Sequence, residues 1–197
     1  MSFSWTNHRV LVTGGNSFVG GYLSAALAEA GANVRVLTRD ASTPHPALAT
    51  DAVELIAGDL LDPVVCRQAL KDCDYLIHAA SFRKHIGFHR EHASEVFNIN
   101  LQMALNLIQA QRDPSIPTIV FSTANIAPDT NPFTQSDQLL DGYLAGKAAC
   151  DVAWQAAAQQ QQFPLLLLRP TSVYGPGDHF SVDGNAVSYT HLTLPTT

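Results

Sequence analysis

Tyr143 and Lys147, in the run YLAGK, stand four residues apart. On a helix such a pair shares one face, so a phenol and an ammonium point into the same cleft. A free phenol, with a pKa near 10, is a poor base at neutral pH, and an adjacent cation favours its phenolate. Each unit of depression is worth about 1.36 kcal/mol, and roughly two or three units bring a tyrosine within range of proton transfer. The pair reads as a device for moving a proton on and off oxygen. A surface tyrosine and lysine at helical spacing is the plain alternative.

A second chemical feature lies near the start of the chain. The run RVLVT (Arg9–Thr13) leads straight into Gly14-Gly15-Asn16-Ser17-Phe18-Val19-Gly20, after which a helical pattern begins. Glycines at such a junction let backbone N–H groups and a helix N-terminus face a pyrophosphate. Any tight strand-to-helix turn favours glycine, so the residues alone are a weak signal. Their placement strengthens it, because the loop follows the first strand and opens a βαβ unit, as a dinucleotide fingerprint requires.

The third feature is the basic run Arg83-Lys84-His85-Ile86-Gly87-Phe88-His89-Arg90-Glu91-His92. His85, His89 and His92 have i, i+4, i+7 spacing, and three histidines on one face can hold zinc. Gly87 weakens a helix there, and no metal is expected. A solvated loop is the plain reading.

The elements that must position these residues follow from periodicity. Arg9–Thr13, Asn33–Thr38, Val53–Ala57, Tyr75–Ala79, Thr118–Ser122 and Leu165–Arg169 read as strands, mostly continuously apolar, which suits parallel strands covered on both faces. Between them Val19–Ala30, Pro63–Leu70, Ser94–Gln111 and Tyr143–Gln161 read as helices. The alternation gives an α/β fold with a parallel sheet and right-handed crossovers. With 197 residues, 46% hydrophobic and 14% charged, the chain has the makings of one soluble domain with a sizeable core. Its net charge of −6 argues against nucleic acid or an anionic membrane as the main partner. No apolar run is long enough to span a bilayer, and the opening MSFSWTNHRV lacks signal-peptide character, so a cytoplasmic location is expected. Cys66, Cys73 and Cys150 form no CxxC and read as small buried hydrophobes.

The loop TGGNSFVG resembles the TGGxGFIG start of the extended short-chain dehydrogenases/reductases, the NAD(P)-dependent epimerase/dehydratase family. Further stretches match in order: GDL at 58–60, HAA at 78–80, NINLQMALNLIQA from residue 98, YLAGK at 143–147 and LRPTSVYGPGD at 168–178. The likeness covers about residues 8–180 and implies a Rossmann-type doubly wound parallel sheet with helices on both faces. Ser17 stands where the family has its middle glycine. A Cβ there crowds the phosphates, although the hydroxyl can itself donate a hydrogen bond to one. The resemblance assigns cofactor contacts to Gly14, Asn16, Ser17, Phe18, Val19, Gly20, Asp59, Leu60, Ala79, Ala80, Asn100, Tyr143, Lys147, Pro170 and Ser172. Selectivity is read at the end of the second strand, where NAD enzymes carry a carboxylate. Here Thr38 is followed by Arg39, whose guanidinium suits a 2′-phosphate, so NADP(H) is expected, with NAD as the alternative. Asp40 comes one residue late for the ribose and is expected to cap the turn.

The implied mechanism passes a hydride between a sugar carbon and nicotinamide while Tyr143 moves the hydroxyl proton. Aligning IVFSTANI with the family's VYxSSxxV puts Thr123 at the third catalytic hydroxyl, with Ser122 as its neighbour. Lys147 is expected to bind the nicotinamide ribose and keep Tyr143 acidic. The family places a substrate-facing loop after the fourth strand, which makes Arg83, Lys84 and Arg90 candidates for the diphosphate of a nucleotide-sugar. The implied function is a nucleotide-sugar epimerase, dehydratase or reductase, homodimeric when whole. Two alternatives stay open: an NADPH-dependent carbonyl reductase of the dihydroflavonol or hydroxysteroid kind, and a non-catalytic NADP-binding regulator.

The family continues beyond YGPGD into a smaller C-terminal substrate region, which is expected to be missing here. Likeness fades by about Gly184, and VSYTHLTLPTT resembles a translated transposon-end sequencing adapter. The expected division is a cofactor-binding domain over residues 1–186, with catalytic Thr123, Tyr143 and Lys147, and a non-native tail over 187–197.

Overall fold

The apolar runs pair as six parallel strands: β1 (Arg9–Thr13), β2 (Asn33–Thr38), β3 (Val53–Ala57), β4 (Tyr75–His78), β5 (Thr118–Phe121) and β6 (Leu165–Leu168). The structure is a computed structural model and describes residues 4–48, 52–84, 86–111, 113–126 and 141–178. Five helices join the strands: α1 (Phe18–Glu29), α2 (Pro63–Leu70), α3 (Ile86–Glu91), α4 (Ala93–Ala110) and α5 (Gly142–Gln161). The strand order is β3-β2-β1-β4-β5-β6, the doubly wound arrangement the sequence implies. The winding of the chain across the sheet reverses between β1 and β4, and ligands of such sheets bind outside the C-terminal strand ends at that switch. There Thr13 and His78 are register partners, and their side chains share a 2.7 Å hydrogen bond.

Two apolar layers hold the sheet. One face packs Leu11, Leu37, Leu76 and Val120 against Cys66, Leu70, Leu107 and Trp154 from α2, α4 and α5. The other packs Val10, Val12, Val36 and Ile77 against Leu27 of α1. Full burial of each such side chain contributes about 1.5–3 kcal/mol. All three cysteines are free and buried, as their composition suggested. Beyond β4 the α1 face changes character: Leu166 and Leu168 of β6 are 51% and 36% exposed.

Local chemistry sets the helix starts. Asp62 caps α2, with Pro63 at its first position. Asp141 caps α5, its Oδ1 accepting from the Tyr143 and Leu144 amides at 2.9 and 3.3 Å. At the other side of α5, buried Asp151 receives the Arg169 guanidinium at 2.9 Å, fastening the helix to the end of β6. The observed elements start or stop within a residue of the expected ones. The one added element is α3, which occupies the stretch read as a loop.

Candidate active site

The glycine loop lies at the sheet's switch point. Gly14 has φ +71, a conformation glycine adopts readily, and a Cβ on it would meet the Ala80 backbone at 2.7 Å. The loop therefore passes directly over the end of β4. A Cβ on Gly20 would collide with the carbonyl of Gly14. Ser17 closes the loop on itself: its hydroxyl donates to the Gly14 carbonyl at 2.7 Å and accepts from the Gly20 amide at 3.4 Å, capping α1. The hydroxyl thus serves as an internal brace of the loop. Backbone N–H groups of Phe18, Val19 and Gly20 form the first turn of α1, where the helix dipole favours an anion.

Asn16 ties this loop to the connection after β2. Its Nδ2 donates to the carbonyls of Asp40 and Thr43 at 3.1 and 2.9 Å, and its Oδ1 accepts from the His45 amide. Arg39 is exposed beside it. Asp40 caps the turn as expected, Oδ1 accepting from the Ser42 amide and hydroxyl at 2.8 and 2.6 Å. Those hydrogen bonds hold its carboxyl below the usual carboxylate range.

Tyr143 and Lys147 occupy the first turns of α5. Lys147 is 6% exposed, and its Nζ donates to the Phe121 carbonyl at the end of β5, 2.8 Å away. Burial pushes its pKa down, with nearby Cys150 and Asp151 opposing. The ammonium lies 6.0 Å from the centre of the Tyr143 ring. Tyr143 differs from expectation. Burial pushes its phenol up from 10.0, opposed by the Arg83 charge and a hydrogen bond with Ser81. Desolvation outweighs the cations, so the neutral phenol is favoured. The nearest counter-charge acting on it is Arg83, whose guanidinium carbon sits 5.7 Å from the ring centre.

Of the basic run, Arg83 thus reaches Tyr143, whereas Lys84 places Nζ 5.9 Å from the Phe82 ring. His85 and the side chain of Arg90 lie outside the described residues. The two described histidines diverge. His92 stacks on Phe88 at 4.2 Å and sits 3.4 Å from Glu95, while His89 stacks on Tyr143. Among the described residues no three histidine, cysteine or acidic side chains converge.

Other expected contacts fall at the same end of the sheet. Thr123 is half-buried, its Oγ1 accepting from the Asn125 amide at 3.3 Å, while the neighbouring Ser122 hydroxyl is buried without a partner among the described residues. The Ala124 amide donates to the Pro170 carbonyl, which brings the segment containing Ser172 beside it. Asp59 turns the chain after β3, accepting from the Leu61 amide. Leu60 has its side chain in the core and its carbonyl on Asn106. Asn100 is buried, and its amide group is fully occupied within the protein: it accepts from Ser81 and Phe82 and donates to Phe82 and Val96. It therefore pins the segment after β4. Sequence reading missed Ser81, His89 as a partner of Tyr143, and Asp141; the acidic residue just before the α5 pattern was a legible capping signal for the last.

Known proteins resemble this chain in sequence and in fold. The sequence profile of the NAD dependent epimerase/dehydratase family matches residues 10–191. A dTDP-4-dehydro-6-deoxy-D-allose reductase of Streptomyces bikiniensis is 30% identical over 195 residues, covering 89% of this chain and 59% of the relative. A UDP-glucose 4-epimerase of Corynebacterium glutamicum is 29% identical, covering 93% and 56%. The solved UDP-glucose 4-epimerase of Thermus thermophilus, in complex with NAD, has a TM-score of 0.73 at 26% identity, over 90% of this chain and 59% of that one. The chain spans about half the length of the curated relatives it matches, from 47% to 59%. No helix among the described residues is long and apolar enough to cross a membrane.

Proposed function

Because the chain belongs to the NAD dependent epimerase/dehydratase family, we propose that the whole protein is an NAD(P)-dependent enzyme acting on a nucleotide-sugar, with Tyr143 as its proton donor and acceptor. One observation carries this reading. The phosphate-type loop packs over Ala80 at the end of β4, and the Tyr143–Lys147 face of α5 is bonded to the end of β5, the strand paired with β4.

The loop suits a dinucleotide. A Cβ at position 14 or 20 would strike neighbouring backbone, so the turn can be this tight only with glycine there, and α1 starts directly from it. Gly14, Asn16, Phe18, Val19, Gly20, Asp59, Ala79, Ala80, Lys147, Pro170 and Ser172 are the residues we assign to holding it. When bound, the cofactor supplies the hydride donor or acceptor. Arg39 at the end of β2, together with an Asp40 carboxylate already turned to Ser42, supports NADP(H) over NAD.

The residues then divide the work. Tyr143 transfers the proton at the substrate oxygen, and Thr123 holds that oxygen by a hydrogen bond. The phenol, which burial pushes up, carries its proton at neutral pH and so can donate it to a carbonyl oxygen. Arg83 and Lys84, after β4, are assigned to the substrate side. The test is a screen of nucleotide-sugars against the full-length gene product, following absorbance of the reduced nicotinamide. Tyr143→Phe should lower turnover by about 10²–10⁴-fold. Undiminished turnover overturns the assignment.

A further inference from the structure

His89 is 4% exposed, on the short helix α3 that interrupts the path from β4 to α4. Its ring lies nearly parallel to that of Tyr143, with centroids 5.4 Å apart and 19° between planes. Its Nε2 accepts a hydrogen bond from the Lys84 amide at 3.0 Å. An accepting Nε2 in a neutral imidazole places the proton on Nδ1. That nitrogen is 3.8 Å from Oδ1 of Asp141, the same oxygen that caps α5 through the Tyr143 and Leu144 amides.

These contacts close a ring of three residues, His89, Asp141 and Tyr143, to which the Lys84 backbone is tied. The Lys84 backbone holds His89, His89 faces Asp141, Asp141 fixes the start of α5, and the phenol carried by α5 returns to lie against His89. Asn100, by binding Ser81 and Phe82, anchors the strand end from which Lys84 extends. Neither zinc binding nor a solvated loop accounts for a histidine so buried and so oriented.

We propose that His89 is a positioning residue for the reaction assigned above: its imidazole fixes the ring plane of Tyr143 and links the segment after β4 to the helix that carries the proton-transfer group. The inference rests on the proposed role of Tyr143 and adds a residue outside the tyrosine, lysine and hydroxyl set. Part of the cover over the phenol is the imidazole itself. Removing it admits water, which relieves desolvation and lowers the pH at which Tyr143 ionises. A phenyl ring of similar shape restores the cover without the polar ties.

The test uses the full chain with tyrosines labelled at Cζ, the Tyr143 resonance being assigned through Tyr143→Phe. His89→Ala should move the Tyr143 ionisation midpoint down by about half a pH unit or more, and His89→Phe should return it most of the way. An unmoved midpoint in His89→Ala, or a His89→Phe midpoint as displaced as that of alanine, overturns the proposal. Should the alanine variant fail to fold, cross-relaxation between the His89 and Tyr143 ring protons in the unsubstituted chain decides the matter: its presence supports the stacking, and its absence ends it. Calorimetry with NADP⁺ and NAD⁺ on the same samples separates the two levels. Lack of dinucleotide binding counts against the proposed function, whatever the Tyr143 titration shows.

Discussion

The Lys147 ammonium donates to the carbonyl oxygen of Phe121 across 2.8 Å, so the cation one helical turn beyond Tyr143 is tied to the end of β5. The bond satisfies a buried charge and holds α5 to the strand that leads into Thr123. Its energetic sign follows from the lowered pKa, which burial dominates. A group whose folded pKa lies below the unfolded 10.5 destabilises the fold while protonated, and the penalty fades as pH rises from the folded value towards the unfolded one. Lys147→Met removes this term. The stability difference between the natural chain and Lys147→Met should therefore move in favour of the natural chain as pH is raised towards 10.5, as read by urea unfolding at several pH values. A difference independent of pH would count against a buried, charged amine.

The Ser17 brace and the Gly20 contact separate structure from ligand binding in one loop. Gly20→Ala forces a methyl against the Gly14 carbonyl, which should cost about 1–3 kcal/mol and abolish NADP⁺ binding by calorimetry. Ser17→Ala loses the α1 cap, for about 1 kcal/mol, and should leave affinity within a few-fold, since its hydroxyl faces Gly14 and Gly20. A large affinity loss in Ser17→Ala would return the hydroxyl to the phosphate.

Asn16 joins the phosphate-type loop to the 40–45 turn by three hydrogen bonds. Asn16→Ala should cost about 0.5–1.5 kcal/mol in unfolding free energy by losing those bonds, whose backbone partners water can reach. Arg39→Ala leaves the turn intact. It should weaken NADP⁺ by tenfold or more, on the order of one charge-assisted hydrogen bond, and leave NAD⁺ nearly unchanged. Equal losses for both dinucleotides would remove Arg39 from selectivity.

Much of this site was legible because short-range chemistry wrote it. Continuous apolar runs fixed the parallel sheet, since strands covered on both faces cannot alternate. The spacing of Tyr143 and Lys147 and the junction after β1 gave the shared face of α5 and the glycine turn, because both depend on local geometry alone. What could not be read depended on burial. The direction of the Tyr143 shift follows from how much protein covers the phenol, and no spacing rule supplies that. His89 showed the right period for a metal face but used its nitrogens on Lys84 and Asp141, contacts made across the fold. Ser17 was judged against a glycine pattern, whereas its hydroxyl replaces that pattern's flexibility with an internal hydrogen bond. Residues 187–197, expected to be a non-native tail, lie outside the described residues.

His78 offers the clearest acid-side prediction. It is 4% exposed at the switch point, its Nδ1 shares a 2.7 Å hydrogen bond with the Thr13 hydroxyl, and burial with the Lys147 charge pushes its pKa down to about 3. The folded protein therefore holds a neutral imidazole, while the unfolded chain protonates near 6.5. Stability from this group is fully present above 6.5 and is lost as pH falls from there towards about 3. Across that window unfolding takes up close to one proton, a slope of about 1.4 kcal/mol per pH unit and a loss on the order of 5 kcal/mol in all. Urea unfolding between pH 7 and 4 should show this slope superposed on the carboxylate contributions. His78→Gln keeps a partner for Thr13 but carries no titrating ring, so its stability should fall less steeply over the same range. If the two slopes coincide, His78 does not titrate as a buried neutral group.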